Sequence, residues 1–487
     1  MNVYDVIIIG GGIVGTAIAR ELSKYKIKTA LLEKEEELAF GVSKSNSGII
    51  HPGTQNPPDS LKGKLCVAGN LLTRELSQEL GFDFKEVGEL IVAFDVDEIP
   101  RLFTLKKSAE ILGVQGLQVV DRMWLREKEP NLSHAAIAAL YAPTAGIVSP
   151  YRMVYDLAEN AARNGTDIYT ECAVKNIIKL EYSTRAFCKE YSRFEIITEK
   201  HVFRARYIIN SAGLFADDVA KMVGINDFTI YPRKGEEFLL DKKREYLTNH
   251  LLFPLPSKNS KGVLVIKTSD GNPMIGPTAE EVEDKTDLST SDEGFQNVMT
   301  SVRRLVPSIE ESDIIAYFAG LRPVSGKDFI IRYEKNTPGF INVAGIQSPG
   351  LTSAPAVALF VRELLKEHGL KLTKKKLFHK TRKKTIHLFS EPLKNTKKLI
   401  SKNPAYGDIV CRCEMVSRGE IEDAISRGAK TMDGIKFRTR AQAGRCHGGF
   451  CTTRIMKILS EKTGKKLTEI TKRGKGSELI KQDRADD

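Results

Sequence analysis

Two sets of residues in this sequence have the types and spacing to do chemistry. Four of the seven cysteines lie together near the C-terminus, as Cys411-x-Cys413 and Cys446-x4-Cys451, while Cys66, Cys172 and Cys188 are scattered. An odd total with one dense cluster suits a metal centre better than a disulfide framework. Four thiolates satisfy either tetrahedral zinc or an iron–sulphur cluster, although the CxxC pairs usual for structural zinc are missing. At the other end of the chain, Gly10-Gly11-Gly12-Ile13-Val14-Gly15 is a GxGxxG run. Gly10 permits a tight turn, Gly12 lets the backbone approach a pyrophosphate and Gly15 allows close helix-to-strand packing. The helix N-terminus at Ile13 and Val14 then aims at the phosphates.

Those glycines act only between the right elements. Tyr4 to Ile9 reads as a buried parallel strand and Thr16 to Lys24 has helical periodicity. The next strand, Thr29 to Leu32, ends at Glu33, whose carboxylate can bond an adenosine ribose hydroxyl and disfavours a 2′-phosphate. FAD and NAD both satisfy this fingerprint. With 487 residues the chain has room for such a unit and others, about three at roughly 150 residues each. Its composition, 41% hydrophobic and 28% charged, is that of an ordinary soluble protein. The apolar stretch Val6 to Ile18 follows Asp5 and lacks a basic leader, so it is a turn-bearing element rather than a signal sequence. A cytoplasmic protein without a transmembrane helix is expected.

Charge is unevenly spread. Residues 371–403 carry twelve Lys or Arg against Glu391 alone, which accounts for +11 of the net +12. Such a run is a solvated linker or a docking face for an acidic partner or anionic lipid. Few aromatics accompany it, so nucleic-acid binding is not expected. With Pro392 and Pro404 and no single period, residues 371–405 read as a basic connector containing one short helix, after which 406–487 form a further domain.

Four stretches resemble the D-amino-acid oxidase superfamily, particularly its glycerol-3-phosphate and L-2-hydroxyglutarate dehydrogenase branches. Ser43-Lys44-Ser45-Asn46-Ser47-Gly48-Ile49-Ile50-His51-Pro52-Gly53 looks like the segment that contacts the flavin. Tyr207 to Leu214, with Asn210-Ser211-Ala212-Gly213, looks like the strand returning to the FAD domain. Gly320-Leu321-Arg322-Pro323 is similar to the family's substrate-anion turn, and Gly345 to Thr352 to the last loop over the isoalloxazine. The resemblance implies FAD and a mixed α/β and α+β architecture, and noncovalent binding is expected because no cysteine or histidine presents a flavin-linking motif. In it a discontinuous Rossmann-like FAD-binding domain (1–77, 146–224, 319–370) carries an antiparallel-sheet substrate domain (78–145, 225–318). It further implies FAD contacts at Ser45, Asn46, Ser47, Ala212, Gly213, Gly350, Leu351 and Thr352, and at the backbone of Val174 in a strand from Ile168 to Ile178.

Oxidising an alcohol at a flavin requires a base near the carbinol and fixed charge for an anionic tail. His51 is the base candidate, because an unperturbed imidazole titrates near pH 6.5 and the resemblance places it over the flavin. It could equally be a hydrogen-bonding fixture of the flavin. Arg322 offers a planar fork for phosphate or carboxylate. Lys267 and Lys234 are weaker candidates, which would serve a dianion if both pointed inward beside Arg322.

The C-terminal cysteines resemble the bacterioferritin-associated-ferredoxin type of [2Fe-2S] domain, a small helical unit, with Cys411, Cys413, Cys446 and Cys451 as ligands. A negative cluster calls for nearby cations, and Arg412, Arg438, Arg440 and Arg445 flank the ligands. Asn46 to Cys66 looks closer to the L-2-hydroxyglutarate branch, whereas the extension resembles the large subunit of anaerobic glycerol-3-phosphate dehydrogenases. The favoured reading is oxidation of sn-glycerol 3-phosphate to dihydroxyacetone phosphate, with electrons passing from FAD to the cluster and on to a partner. That acceptor would be a flavoprotein, a ferredoxin or a quinone-linked protein, in an oligomer or hetero-complex peripheral to the membrane. Oxidation of L-2-hydroxyglutarate or another 2-hydroxy acid, of proline or an opine, or service as an electron-transfer subunit are the alternatives.

Overall fold

The computed structural model describes residues 2–180, 192–256 and 262–481, so Cys188 lies outside the described residues. The strand Asn2–Ile9 is apolar along its second half because it is covered on both faces and flanked by parallel neighbours, Val202–Asn210 and Thr29–Leu32. The sheet runs Val174–Lys179, Phe194–Thr198, Val202–Asn210, Asn2–Ile9, Thr29–Leu32, Thr166–Tyr169, with Phe340–Ala344 also joining Val202–Asn210 in parallel. Helices Ile13–Leu22, Leu61–Leu80, Pro150–Arg163 and Gly350–Glu367 share one buried cluster with it, including Ile8, Ile18, Leu65, Leu157 and Val361.

The stretch read as one strand from Ile168 to Ile178 is two, Thr166–Tyr169 and Val174–Lys179, which lie at opposite ends of the sheet order. Glu171 adopts φ +51° between them, and the amides of Glu171 and Cys172 bond Glu35 and Glu33 carbonyls instead of a strand partner.

A second, largely antiparallel sheet of nine strands is built around the pair Tyr231–Leu240 and Ile314–Val324. One face is covered by the helix Asp292–Leu305 through Phe238, Val265, Ile275, Val298 and Val302. The other carries Ile91, Leu140, Phe253 and Ile266. Gly320 to Pro323 is not a turn, as its composition suggests. It lies inside the strand Ile314–Val324, with Gly320 opposite Gly235 and Arg322 opposite Arg233. Proline is tolerated there because among the described residues this strand pairs on one side only. The strand also runs unbroken across residues 318 and 319, where the sequence suggested a domain limit.

The basic connector is a strap rather than a free linker. Lys26 N–H donates to Thr373 O and Lys375 N–H to Lys24 O, and Asn160 and Asn164 both donate to His379 O. Arg382, 4% exposed, bonds Asp156 at 2.7 Å and Glu159 at 2.8 Å. The expected short helix follows as Leu393–Lys402. Beyond it, helices Arg418–Ser426, Met432–Thr439 and Thr452–Thr463 enclose a separate core of Val410, Ile421, Ile435, Ile455 and Leu459. Among the described residues no helix is long and apolar enough to cross a membrane.

Candidate active site

The glycine turn opens directly off Asn2–Ile9. Gly10 has φ +110°, a conformation side chains disfavour, and a Cβ there would strike Ser211 O. A Cβ on Gly15 would strike Gly10 O, so the helix Ile13–Leu22 approaches as closely as backbone allows. Glu33 accepts from Gly11 N–H at 2.7 Å and Glu35 N–H at 2.9 Å. Burial pushes its carboxyl pKa up, against the pull of those two amides. Ser43 was not singled out from sequence, yet its Oγ accepts from Ile13 N–H at 2.9 Å and so caps the same helix. Asn46 holds the following loop, donating to Ser43 O at 2.7 Å and accepting from Gly48 N–H at 2.8 Å.

These parts meet at the C-terminal ends of three adjacent parallel strands. Ala212 and Gly213 follow Val202–Asn210, and Gly350, Leu351 and Thr352 open the helix Gly350–Glu367 after Phe340–Ala344. Thr352 Oγ1 accepts from His51 N–H at 2.9 Å, which ties the Ser45 to His51 segment to that helix. Val174 starts its strand at the far edge of the sheet. Two helix N-termini, side-chain-free turns and a polar loop at strand ends suit a dinucleotide.

His51 and Arg322 approach this region from different elements. The His51 ring lies edge-on to Phe253 at 6.1 Å, and its Nδ1 faces Glu89 Oε2 at 3.9 Å. Glu89 is fully buried and also accepts a hydrogen bond from Thr54. Sequence reasoning passed over Glu89; the available signal was a carboxylate opening an otherwise apolar strand, Glu89–Ala93. By strand alternation Glu89, Phe253, Phe318, Gly320 and Arg322 share one face of the second sheet, and a Cβ on Gly320 would strike Ser45 O. Arg322 therefore overlies the Ser45 to Ser47 loop. Its two terminal nitrogens donate to Thr278 O at 3.3 and 3.2 Å. Burial lowers its pKa, with Glu237 opposing, but a guanidinium remains charged at neutral pH.

The two lysines do not join it. Lys234 and Lys267 alternate with Gly235 and Ile266, which puts them on the face covered by Asp292–Leu305, in register with Phe238 and Val265. Lys234 pairs with Asp287 at 3.0 Å and Lys267 with Glu245 at 2.9 Å. The condition for serving a dianion, both lysines turned inward beside Arg322, is therefore not met.

Gly235 makes room for the guanidinium, because a Cβ there would collide with Arg322 Nη2. Gly235→Ala is expected to displace the fork and raise KM for an anionic substrate about tenfold or more, leaving the flavin spectrum unchanged. Steady-state kinetics with the purified variant check this, and an unaltered KM would detach Arg322 from anion binding.

The four clustered cysteines stand as two pairs. Cys413 Sγ lies 3.4 Å from Cys446 Sγ, and Cys411 is hydrogen-bonded to Cys451. Two pairs of thiols offer two ligands to each of two metal atoms. The Cys451 thiol, then the amides of Gln442, Glu414 and Cys413, bring Cys411 down to about 6, while Cys451 is pushed up. Amides of Gly448 and Phe450 point at Cys446, the stabilisation a negatively charged cluster needs. Three of the flanking arginines reach carboxylates elsewhere in the chain. Arg438 pairs with Glu37 at 2.8 Å, Arg440 with Asp270 at 3.5 Å and Arg445 with Asp241 at 2.8 Å, clamping this unit to the rest of the chain. Burial alone would raise Asp270, but Arg152 and Arg440 hold it at about 2. Phe437 packs on Tyr151 at 4.9 Å and near Lys44, next to the Ser45 to Ser47 loop.

Comparison with known proteins decides between the possible dinucleotides. Residues 5–364 match the FAD-dependent oxidoreductase family model known as DAO. The chain belongs to this family. Residues 409–461 match the BFD-like [2Fe-2S] binding domain, so the oxidoreductase uses FAD and a [2Fe-2S] cluster. It is 44% identical over 483 residues to a glycerol 3-phosphate dehydrogenase of Caloramator mitchellensis, covering 98% of each chain. It is 33% identical to a glycerol 3-phosphate oxidase of Mycoplasma genitalium, over 77% of this chain and 97% of the relative. Among solved structures, the dithionite-reduced L-α-glycerophosphate oxidase of Mycoplasma pneumoniae with FAD bound superposes with a TM-score of 0.72 at 31% identity, over 78% of this chain and 99% of that one.

Proposed function

We propose that this oxidoreductase converts sn-glycerol 3-phosphate into dihydroxyacetone phosphate and delivers the electrons through its C-terminal cluster to a separate acceptor. The observation that carries the reading is Arg322 on the sheet face over the Ser45 to Ser47 loop, with His51 and buried Glu89 toward the same face. A cationic fork and a base at one flavin-binding region fit a small phosphorylated alcohol. The full-length likeness to a glycerol 3-phosphate dehydrogenase, which extends through the cysteine unit, supports both substrate and electron exit.

In this reading Arg322 holds the phosphate and the carbinol lies between Arg322 and His51. His51 takes the hydroxyl proton at Nε2, the nitrogen away from Glu89, while Glu89, 3.9 Å from Nδ1, balances the charge it gains. The second sheet roofs the reacting atoms and excludes water. When bound, FAD supplies the hydride acceptor and the [2Fe-2S] cluster a one-electron outlet. Arg438, Arg440 and Arg445 keep the cysteine unit docked beside the flavin-binding loop.

Anaerobic titration of the cluster-loaded protein with glycerol 3-phosphate, L-2-hydroxyglutarate and proline tests the substrate. Flavin bleaching and the reduced-cluster paramagnetic signal are followed together. Bleaching by glycerol 3-phosphate alone is expected; bleaching by another compound replaces the substrate, and bleaching by none favours a relay subunit. The electron route is tested with Cys413→Ser, which is expected to lose the cluster signal while the substrate still bleaches the flavin. Persistence of the signal would remove Cys413 from the ligand set.

A further inference from the structure

Glu237 is a buried carboxyl group that the reaction as described leaves without a task. It lies on Tyr231–Leu240, directly opposite Phe318 and two residues along from Gly235, so it shares a face with Gly320 and Arg322. That face looks onto the flavin-binding loop, and Ser47 Oγ donates to Glu237 Oε1 at 2.7 Å. The residue is only 3% exposed, and its second oxygen, Oε2, is buried with no hydrogen-bond partner among the described residues. Burial raises its pKa to about 7, with Ser47 and then Arg322 drawing it back. A buried acceptor left unmet is costly, and a ligand, an ion or a water that supplies the donor relieves that cost.

The proposed substrate has one group still unassigned. Its phosphate goes to Arg322 and its secondary hydroxyl to His51, which leaves the primary hydroxyl, a neutral donor. We propose that Glu237 in its ionised form determines specificity: Oε2 accepts a hydrogen bond from the substrate's hydroxymethyl group and, by its charge, rejects alcohols that carry a carboxylate at that position. The group carries that charge above neutral pH. This rests on the proposed function and deepens it. A carboxylate beside Glu237 would place two like charges in a buried site, whereas a hydroxymethyl group fills the missing bond. The same residue would thus exclude 2-hydroxy acids and amino acids, the substrate classes that the fold otherwise accommodates.

The test compares two substrates on the full-length, cluster-loaded protein. One is glycerol 3-phosphate; the other is the 3-phosphoglycerate of matching configuration, which keeps carbinol and phosphate and has a carboxylate in place of the hydroxymethyl group. Flavin bleaching gives kcat/KM for each. Glu237→Gln is expected to lower the value for glycerol 3-phosphate about tenfold and raise that for 3-phosphoglycerate about tenfold, a shift of about a hundredfold in their ratio. Glu237→Asp keeps the charge but retracts it, so the rate on glycerol 3-phosphate falls while 3-phosphoglycerate stays excluded. Parallel changes toward both substrates in either variant would overturn the inference and leave Glu237 as a support for Ser47. A wild-type flavin that glycerol 3-phosphate never bleaches overturns the substrate assignment and this inference together, whereas a bleached wild type with an unmoved ratio overturns the inference alone.

Discussion

Replacing Arg322 with methionine is expected to lower kcat/KM for glycerol 3-phosphate by about a hundred- to a thousandfold, most of it in KM. The guanidinium is held on the sheet face that covers Ser45 by Thr278 O and by the space Gly235 leaves, which fixes its position before an anion arrives. Methionine keeps much of the volume and packing and removes only the charge and the fork. Lysine at the same position restores a point charge without the bidentate geometry, and an intermediate loss of about tenfold is expected. Stopped-flow bleaching over a range of substrate concentrations separates the two parameters. If methionine lowered kcat and left KM untouched, Arg322 would be acting on the reacting atoms rather than on the distant phosphate.

A second large effect is expected at His51. His51→Asn should lower kcat by about a hundred- to ten-thousandfold, the usual range for loss of a general base, with KM changed far less. Asparagine leaves the backbone N–H that Thr352 Oγ1 accepts, so the Ser45 to His51 segment stays pinned and the flavin spectrum is expected to stay normal. That separation matters, because a histidine that only fixed the flavin in place would show its loss as altered flavin affinity. Rapid-reaction bleaching, with flavin content measured on the same samples, distinguishes the two roles.

Much of the molecule is legible locally. The strand, glycine turn and helix at the N-terminus announce themselves because φ +110° at Gly10 and the close approach at Gly15 are requirements within a few residues of each other. The cysteine unit is equally readable, since its helices Arg418–Ser426 and Thr452–Thr463 and its ligand loops are short-range. The Gly320 to Pro323 stretch misled because glycine and proline carry the composition of a turn, while an edge strand can also hold both. The split between Thr166–Tyr169 and Val174–Lys179 was hidden for a similar reason, as a single left-handed residue, Glu171, breaks an otherwise strand-like run.

What the amino-acid sequence determined by itself was the chemistry on offer: a dinucleotide turn, a base, a fork and four thiols, each defined by residue type and close spacing. Only the tertiary structure decided which of them meet. Strand parity is visible in a sequence, but which parity faces the flavin is set by register against strands far away, and that placed Arg322 and Glu237 inward and Lys234 and Lys267 outward. Long-range pairing likewise set Glu89 beside His51 and gave Arg438, Arg440 and Arg445 carboxylate partners in the rest of the chain. A charge has no preferred partner until the backbone brings one within a few ångströms, and that distance is a property of the fold.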